Sequence, residues 1–355
     1  MQNDIKFYSC FDEPFKIYGL YKPSAENGFI RIPQSVADCL EAPLFKEQQL
    51  HKNTAGGRVR FRTDAKSITI RAKLDRADYS GNCNVLLRRN FDLYKKQGNR
   101  VVFETTFVHY SEESIKGNFL ESRGLSGAMS EYTLYLPCYG NVYSLEIGFP
   151  EDAKVLAPTD YSIDKPIVFL GSSITQGGCA QRPGLQYQAL ISRDLDADFI
   201  NLGFSGSCRA EKELMEYIAA IPMSAFVYDY DHNTPTVEHL EESHLRGYKI
   251  IRKANPDLPI VLVTRPDLNI CNKSEIEYRI IIQKTYHYGI ENGDKNLYYI
   301  DGYSFFAGNN YWDHTVDKCH PNDVGMFKMA EVIADTLNVA ICKQQKTQEK
   351  IIIDV

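Results

Sequence analysis

The second half of this chain alternates short, unbroken apolar runs with stretches of helical period, and few folds accept that alternation. Ile167-Val168-Phe169-Leu170 has no polar position, as expected of a strand covered on both faces. Residues 199–202, 225–228, 260–263 and 297–300 behave likewise. Between them, Val237, Leu240, His244, Tyr248 and Ile251 recur three or four residues apart and stop before Asn255-Pro256, which predicts a helix. A second helix is expected from Ser274 to about Ile290. A third should run from Val324 to about Leu337, with Asn322 or Asp323 as its cap. Five parallel strands with crossover helices make a three-layer, flavodoxin-like α/β/α domain.

The first half has a different period. Arg58 to Arg62 and Ser67 to Ala72 alternate polar and apolar residues, and 84–88, 100–108, 131–136 and 142–147 also read as strands. Turn pairs such as Gly98-Asn99 and Gly140-Asn141 separate them, so an all-β sandwich or jelly roll is expected. The alternating Arg58, Arg60 and Arg62 read as the solvated face of a strand. Tyr132, Leu134 and Leu136 read as a buried face. The break falls near Ala157-Pro158-Thr159-Asp160, giving domains at 1–160 and 161–355, and 355 residues suit two domains.

Charge and cysteine usage narrow the function. A net charge of −6 with no basic block argues against a nucleic-acid partner. The nine cysteines are dispersed without a C-x-x-C, which fits a reducing compartment. No run reaches the ~20 apolar residues of a membrane span, and the first residues contain no signal-peptide core, so a cytoplasmic location is expected. Oligomeric state is left open.

In an open parallel sheet, ligands bind beyond the carboxyl ends of the strands. Gly171-Ser172-Ser173 follows the first of them, and Gly203 to Gly206 the second. Asp229 to Asn233 follows the third, and Asp317-Lys318-Cys319-His320 lies beyond the fifth. A serine at a strand end, a histidine and an acid three residues before it supply a nucleophile, a base and an orienting group.

These segments, in this order, resemble the consensus blocks of the SGNH (GDSL-like) hydrolase superfamily, across roughly 163–341. The resemblance implies Ser173 as nucleophile and Asp317 and His320 as its partners. It implies an oxyanion hole of the Ser173 and Gly206 backbone N–H groups and the Asn233 amide. Two departures stand out: Ser172 replaces the acid before the nucleophile, and Asp231-His232-Asn233-Thr234 replaces Gly-x-Asn-Asp. Phe91-Asp92-Leu93-Tyr94 is similar to the Gly-x-Asp-Leu-Tyr signature of bacterial members with an N-terminal β-sandwich, with Asn90 where the glycine would stand.

The remaining candidates carry less. Asp229-x-Asp231-x-Asn233 opens like a calcium loop but lacks its glycine and its twelfth-position glutamate. His232, His239 and His244 match no zinc spacing, and His244 reads as a hydrogen-bonded core residue. Cys319 should point away from the cleft, and Trp312 could line it. No metal or organic cofactor is expected. The reading is an esterase acting on a short O-acyl group, O-acetyl above others, of a small-molecule or oligosaccharide substrate through an acyl-serine. The alternatives are a thioesterase or lysophospholipase, and a non-catalytic glycan-binding protein.

Overall fold

The computed structural model describes residues 4–75, 81–108, 116–267, 272–308 and 311–353, with side chains to 343. Two antiparallel sheets form the first half. One has the order β1 (Ile5–Ser9), β9 (Val142–Pro150), β4 (Ser67–Leu74), β7 (Asn118–Gly124). The other runs β10 (Val155–Leu156), β3 (Arg58–Thr63), β8 (Ser130–Tyr135), β5 (Phe91–Gln97), β6 (Arg100–Phe107), with β2 (Lys16–Tyr18) also on β3. Their inner faces share one core, in which Val59, Phe61, Leu93 and Leu134 meet Ile68, Ile70, Ile147 and Phe149. This is a β-sandwich.

The second half is a parallel sheet of order β12 (Ala197–Gly203), β11 (Ile163–Gly171), β13 (Ala225–Asp229), β14 (Ile260–Val263), β15 (Leu297–Ile300). Each strand sends alternate residues to opposite faces. Ile167, Phe169 and Val227 pack with Tyr187, Ile333 and Leu337, whereas Val168, Leu170 and Phe226 pack with Leu214, Leu240, Ile251 and Ile282. Two apolar layers on one sheet explain the unbroken runs. The helices Val237–Ala254 and Lys273–Glu291 lie where the periodicity places them. The last helix, Asp323–Ile353, extends well past Leu337. Asn322 caps it, its Oδ1 accepting from Gly325 N at 3.2 Å.

Two expectations fail. The segment expected as a strand at 84–88 is a helical turn, Val85–Arg89, because Asn84 Oδ1 accepts from Leu86 N at 2.9 Å and caps it. Arg58 and Arg60 are buried, not solvated. The outer face of β3–β8–β5 packs against the α/β half, so both faces of these strands are covered, and Tyr135 and Tyr94 join the core around Phe169 and Phe199. Arg58 pairs with Asp198, donates to Phe199 O at 3.1 Å and Gly56 O at 2.9 Å, and lies 4.1 Å from the Phe199 ring. Arg60 bonds Glu131 at 2.6 Å, and Glu131 in turn accepts from the Thr159 backbone and hydroxyl. Arg31 also crosses between the halves, donating to Gly203 O at 2.5 Å and to Leu50 O at 2.6 Å. Burial pulls its guanidinium down to about 9.

The Phe91–Tyr94 tract belongs to the same interface. Asp92 Oδ2 accepts from Arg182 Nη1 at 2.9 Å and from Gly184 N at 2.8 Å, and Tyr94 OH meets Arg182 at 2.9 Å. The signature therefore docks the two halves.

Removing Arg58 strands the largely buried Asp198 carboxylate and three further acceptors, the carbonyls of Gly56 and Phe199 and the Tyr161 hydroxyl. Arg58→Ala should cost about 3–5 kcal/mol in urea unfolding, as for other broken buried pairs. A loss under about 1 kcal/mol would mean the interface does not depend on it.

Candidate active site

The base loop is built locally. Lys318 takes a left-handed φ of 66°, which folds Asp317 back toward His320. Asp317 Oδ1 accepts from the backbone N–H of Cys319 at 3.1 Å and of His320 at 2.8 Å. Its Oδ2 lies 2.9 Å from His320 Nδ1. Burial works to raise the Asp317 carboxyl, but the His320 N–H, the imidazole and the Asn82 amide outweigh it and hold it at about 2. On the far side of the ring, His320 Nε2 sits 2.9 Å from Ser173 Oγ. The three residues expected from sequence thus form one hydrogen-bonded chain.

Ser173 opens a short helical turn, Ser173–Gln176, directly after β11. Ser172 holds that turn: its Oγ accepts from Ile174 N at 3.2 Å and its carbonyl from Gln176 N at 3.0 Å. Gly171 is needed for close approach. A Cβ there would fall 2.1 Å from Thr175 Oγ1 and 2.3 Å from Asp229 O. Under the turn, Asp229 Oδ2 accepts from Thr175 Oγ1 at 2.9 Å and Tyr187 OH at 3.1 Å.

Ser173 and His320 face a cavity of about 370 Å³. Among its described lining residues only these two and Ser205 come from the α/β half; Leu44, Gln48, Asn53, Asn82, Cys83 and Tyr139 are among those from the β half. Tyr139 OH donates to Ser173 O at 2.9 Å. Asn82 Nδ2 donates to Asp317 Oδ2 and stands 3.0 Å from His320 Nδ1. With Nδ1–H directed at Asp317, that second approach joins two donors, so the bond to the carboxylate is the one that stabilises. Asn82 and Tyr139 lie 235 and 34 residues from their partners, and no spacing rule connects them.

Gly206 and Asn233 do not line this cavity, although Ser205 does. Gly206 has φ +64°, in the left-handed region. Asn233 Oδ1 accepts from Cys208 N at 3.3 Å, which leaves its NH₂ end as donor. Beside it, His232 Nδ1 lies 2.9 Å from Asp231 Oδ1 and His232 Nε2 2.7 Å from Asp267 Oδ1. Burial opposes its charge, but the two carboxylates hold the imidazolium well above the ordinary histidine value. Arg265 N donates to Asp231 Oδ2 at 3.1 Å, so an ion network pins the Asp229–Asn233 segment. Cys319 lies outside the cavity, against His232 and Asp267, with donor atoms of the three within 4.8 Å of one another. His239 bonds Arg209 O, and His244 is stacked on Tyr228 and bonded to Thr285. Burial pulls His244 down to about 3. Trp312 packs edge-on against Tyr311, away from the cavity.

The profile of the GDSL-like Lipase/Acylhydrolase family matches residues 164–338, and that for the N-terminus of the SGNH-hydrolase-type esterases matches 5–155. The catalytic half belongs to the GDSL-like lipase/acylhydrolase family. The chain is an SGNH-type ester hydrolase with the N-terminal domain of that group. A protein from Bacteroides ovatus assigned as a GDSL-like lipase has a similar structure, at 26% identity and TM-score 0.83, covering 97% of this chain and 98% of its own. Salicylyl-acyltransferase from a tetracycline biosynthetic pathway follows at 19% identity and TM-score 0.75, over 92% and 95%. An acetyl xylan esterase from the rumen bacterium Butyrivibrio proteoclasticus shares the fold at 13% identity and TM-score 0.58, over 94% and 98%. No curated protein sequence matches the chain. The described residues contain no helix long and apolar enough to cross a membrane.

Two outcomes follow from this SGNH site. Asn82→Ala should lower kcat/KM roughly 10- to 150-fold, the worth of one hydrogen bond to a charged group. Asn82→Asp should instead move the acid limb of the pH–rate profile upward by about one unit, because a second carboxylate favours the imidazolium. Profiles superimposable on wild type would remove Asn82 from the site.

Asp229 supplies a stability test. Burial raises its carboxyl to about 6 from 3.8. A raised acid favours the folded state when protonated, so stability is lost as pH climbs from about 4 to about 6, on the order of 2–3 kcal/mol in all. Asp229→Asn lacks that loss. Urea unfolding at pH 4.5 and 7.5 should show the variant gaining on wild type at the higher pH; a constant gap would refute the assignment.

Proposed function

We propose that the protein is a serine esterase that removes short O-acyl groups, acetyl in particular, from a carbohydrate. The hydrogen-bonded chain from Ser173 through His320 to Asp317, with the serine and the histidine on the wall of a cavity, carries this reading. Ser173 Oγ attacks the ester carbonyl while His320 Nε2 takes its proton. Asp317, ionised down to about pH 2, holds the ring by Nδ1–H and favours the imidazolium. By the family resemblance, the N–H groups of Ser173 and Gly206 and the NH₂ end of Asn233 would bind the oxyanion, each able to contribute about 3–4 kcal/mol in a dry site, although of the three only Ser173 borders the cavity. His320 then protonates the leaving alcohol and activates the water that frees Ser173.

The lining supports the substrate class. Gln48, Asn53, Asn82 and Ser205 offer neutral donors and acceptors suited to sugar hydroxyls, with Tyr139 beside them. Leu44, Cys83 and the Tyr139 ring give the cavity a short apolar wall, while Asp75, Arg88 and Arg89 add charge, a mixture better suited to a polar substrate with a short acyl group than to a long aliphatic chain. The carbohydrate esterase with the same fold acts on acetylated xylan by its name, which agrees with this reading.

Hydrolysis of p-nitrophenyl esters from acetate to decanoate, with acetate release from acetylated oligosaccharides, tests it. Activity should peak at acetate and fall at least 10³-fold in Ser173→Ala with the fold intact. Rates that rise with chain length would favour a lysophospholipase or thioesterase. Wild-type rates in Ser173→Ala would refute the nucleophile.

A further inference from the structure

Beside the catalytic cleft, two thiols from the two halves of the chain meet. Cys83 Sγ and Cys179 Sγ are 3.7 Å apart. Cys83 lines the cavity and follows Asn82, which donates to Asp317. Cys179 is buried, just beyond the Ser173 turn, and its N–H donates at 2.9 Å to the carbonyl of Pro321, next to His320. Any bond between the sulfurs would tie the loop bearing Asn82 to the segment that supports the base.

We propose that Cys83 and Cys179 are an oxidative modification site, at which a reversible disulfide clamps the β half onto the catalytic loop and slows turnover. The inference does not rest on the substrate proposed above. A disulfide needs about 2.05 Å between sulfurs, so closure requires a movement of only about 1.6 Å. The partners are unequal in the way that such chemistry uses. The Cys179 thiol donates toward Cys83 and, with the Arg88 charge nearby, lowers the Cys83 thiol below its ordinary value despite its burial. Cys83 is also the one on the cavity wall, within reach of a small oxidant.

With hydrogen peroxide as oxidant, the Cys83 thiolate attacks one peroxide oxygen, giving a sulfenic acid and hydroxide. The Cys179 sulfur then attacks the sulfenic sulfur, forming S–S and expelling the oxygen as water. Two thiols lose two electrons and two protons, and one peroxide becomes two waters. A dithiol reductant reverses the bond by exchange.

The test uses the full chain. After peroxide treatment, free thiols are alkylated and the protein is digested without reduction. Mass spectrometry should find the peptides of Cys83 and Cys179 joined, ~2 Da lighter than the reduced pair, and released by dithiothreitol; Cys179→Ser should abolish the species. A cross-link between residues 96 apart should also raise the thermal midpoint by about 5 °C or more, and this is read without any ester. The rate on p-nitrophenyl acetate, oxidised over reduced, should fall at least fivefold in wild type and stay near one in Cys179→Ser. Alkyl label on both cysteines after peroxide, or sulfinate on Cys83 with no cross-link, would overturn the site. A cross-link that leaves the rate ratio at one would overturn the clamp.

Discussion

Burying a guanidinium is costly unless acceptors meet its donors, and the acceptors that meet Arg58 and Arg31 fix how the two halves of this protein sit together. Arg58 directs its donors at Asp198, Tyr161 OH and the carbonyls of Gly56 and Phe199. Arg31 reaches the carbonyls of Asn201, Gly203 and Leu50. A planar fork with fixed donor directions sets rotation as well as distance, and a small rotation between the halves would leave charged donors unpaired in the interior. Asp92 adds the reverse case, a buried carboxylate of the β half held by Arg182 and Gly184 of the other. The interface is specified by direction, not by greasy contact alone.

That rigidity matters because the cleft is composite. Asn82, Cys83 and Tyr139 stand around Ser173 and His320 only if the sandwich is seated correctly. A drift of an ångström would break the bonds of Tyr139 to Ser173 O and of Asn82 to Asp317, both of which act on the hydrogen-bonded chain. The base loop itself needs less help. Asp317 and His320 are three residues apart, and two backbone N–H bonds to the Asp317 carboxylate close the loop on their own.

The same contrast explains what could be read from sequence. The parallel strands were legible because burial on both faces leaves no polar position in 167–170, and the Asp317–His320 pair because the motif is local. Arg58 and Arg60 misled for a physical reason. Alternation reports that one face of a strand is apolar; it is silent on what covers the polar face, and here a second domain does. Asn84 to Arg88 misled because a five-residue run has no resolvable period, and the Asn84 cap decided the outcome. Asn82 was invisible: a loop asparagine carries no signal for a partner 235 residues away.

On the proposed reading, chemistry and recognition fall largely in different halves. The groups proposed to move protons belong to the α/β half, where strand ends and one tight loop place them within a few ångströms. Most of the groups that would touch the rest of a substrate belong to the sandwich and arrive through a long-range interface. Substitutions on the sandwich loops other than at Asn82 and Tyr139 can then reshape the cavity without disturbing Ser173, His320 and Asp317, provided that Asp92, Arg58 and Arg31 keep the halves in register. A fold divided in this way lets substrate preference change while the hydrolytic apparatus stays constant. The Phe91–Tyr94 signature marks the seam along which that division holds.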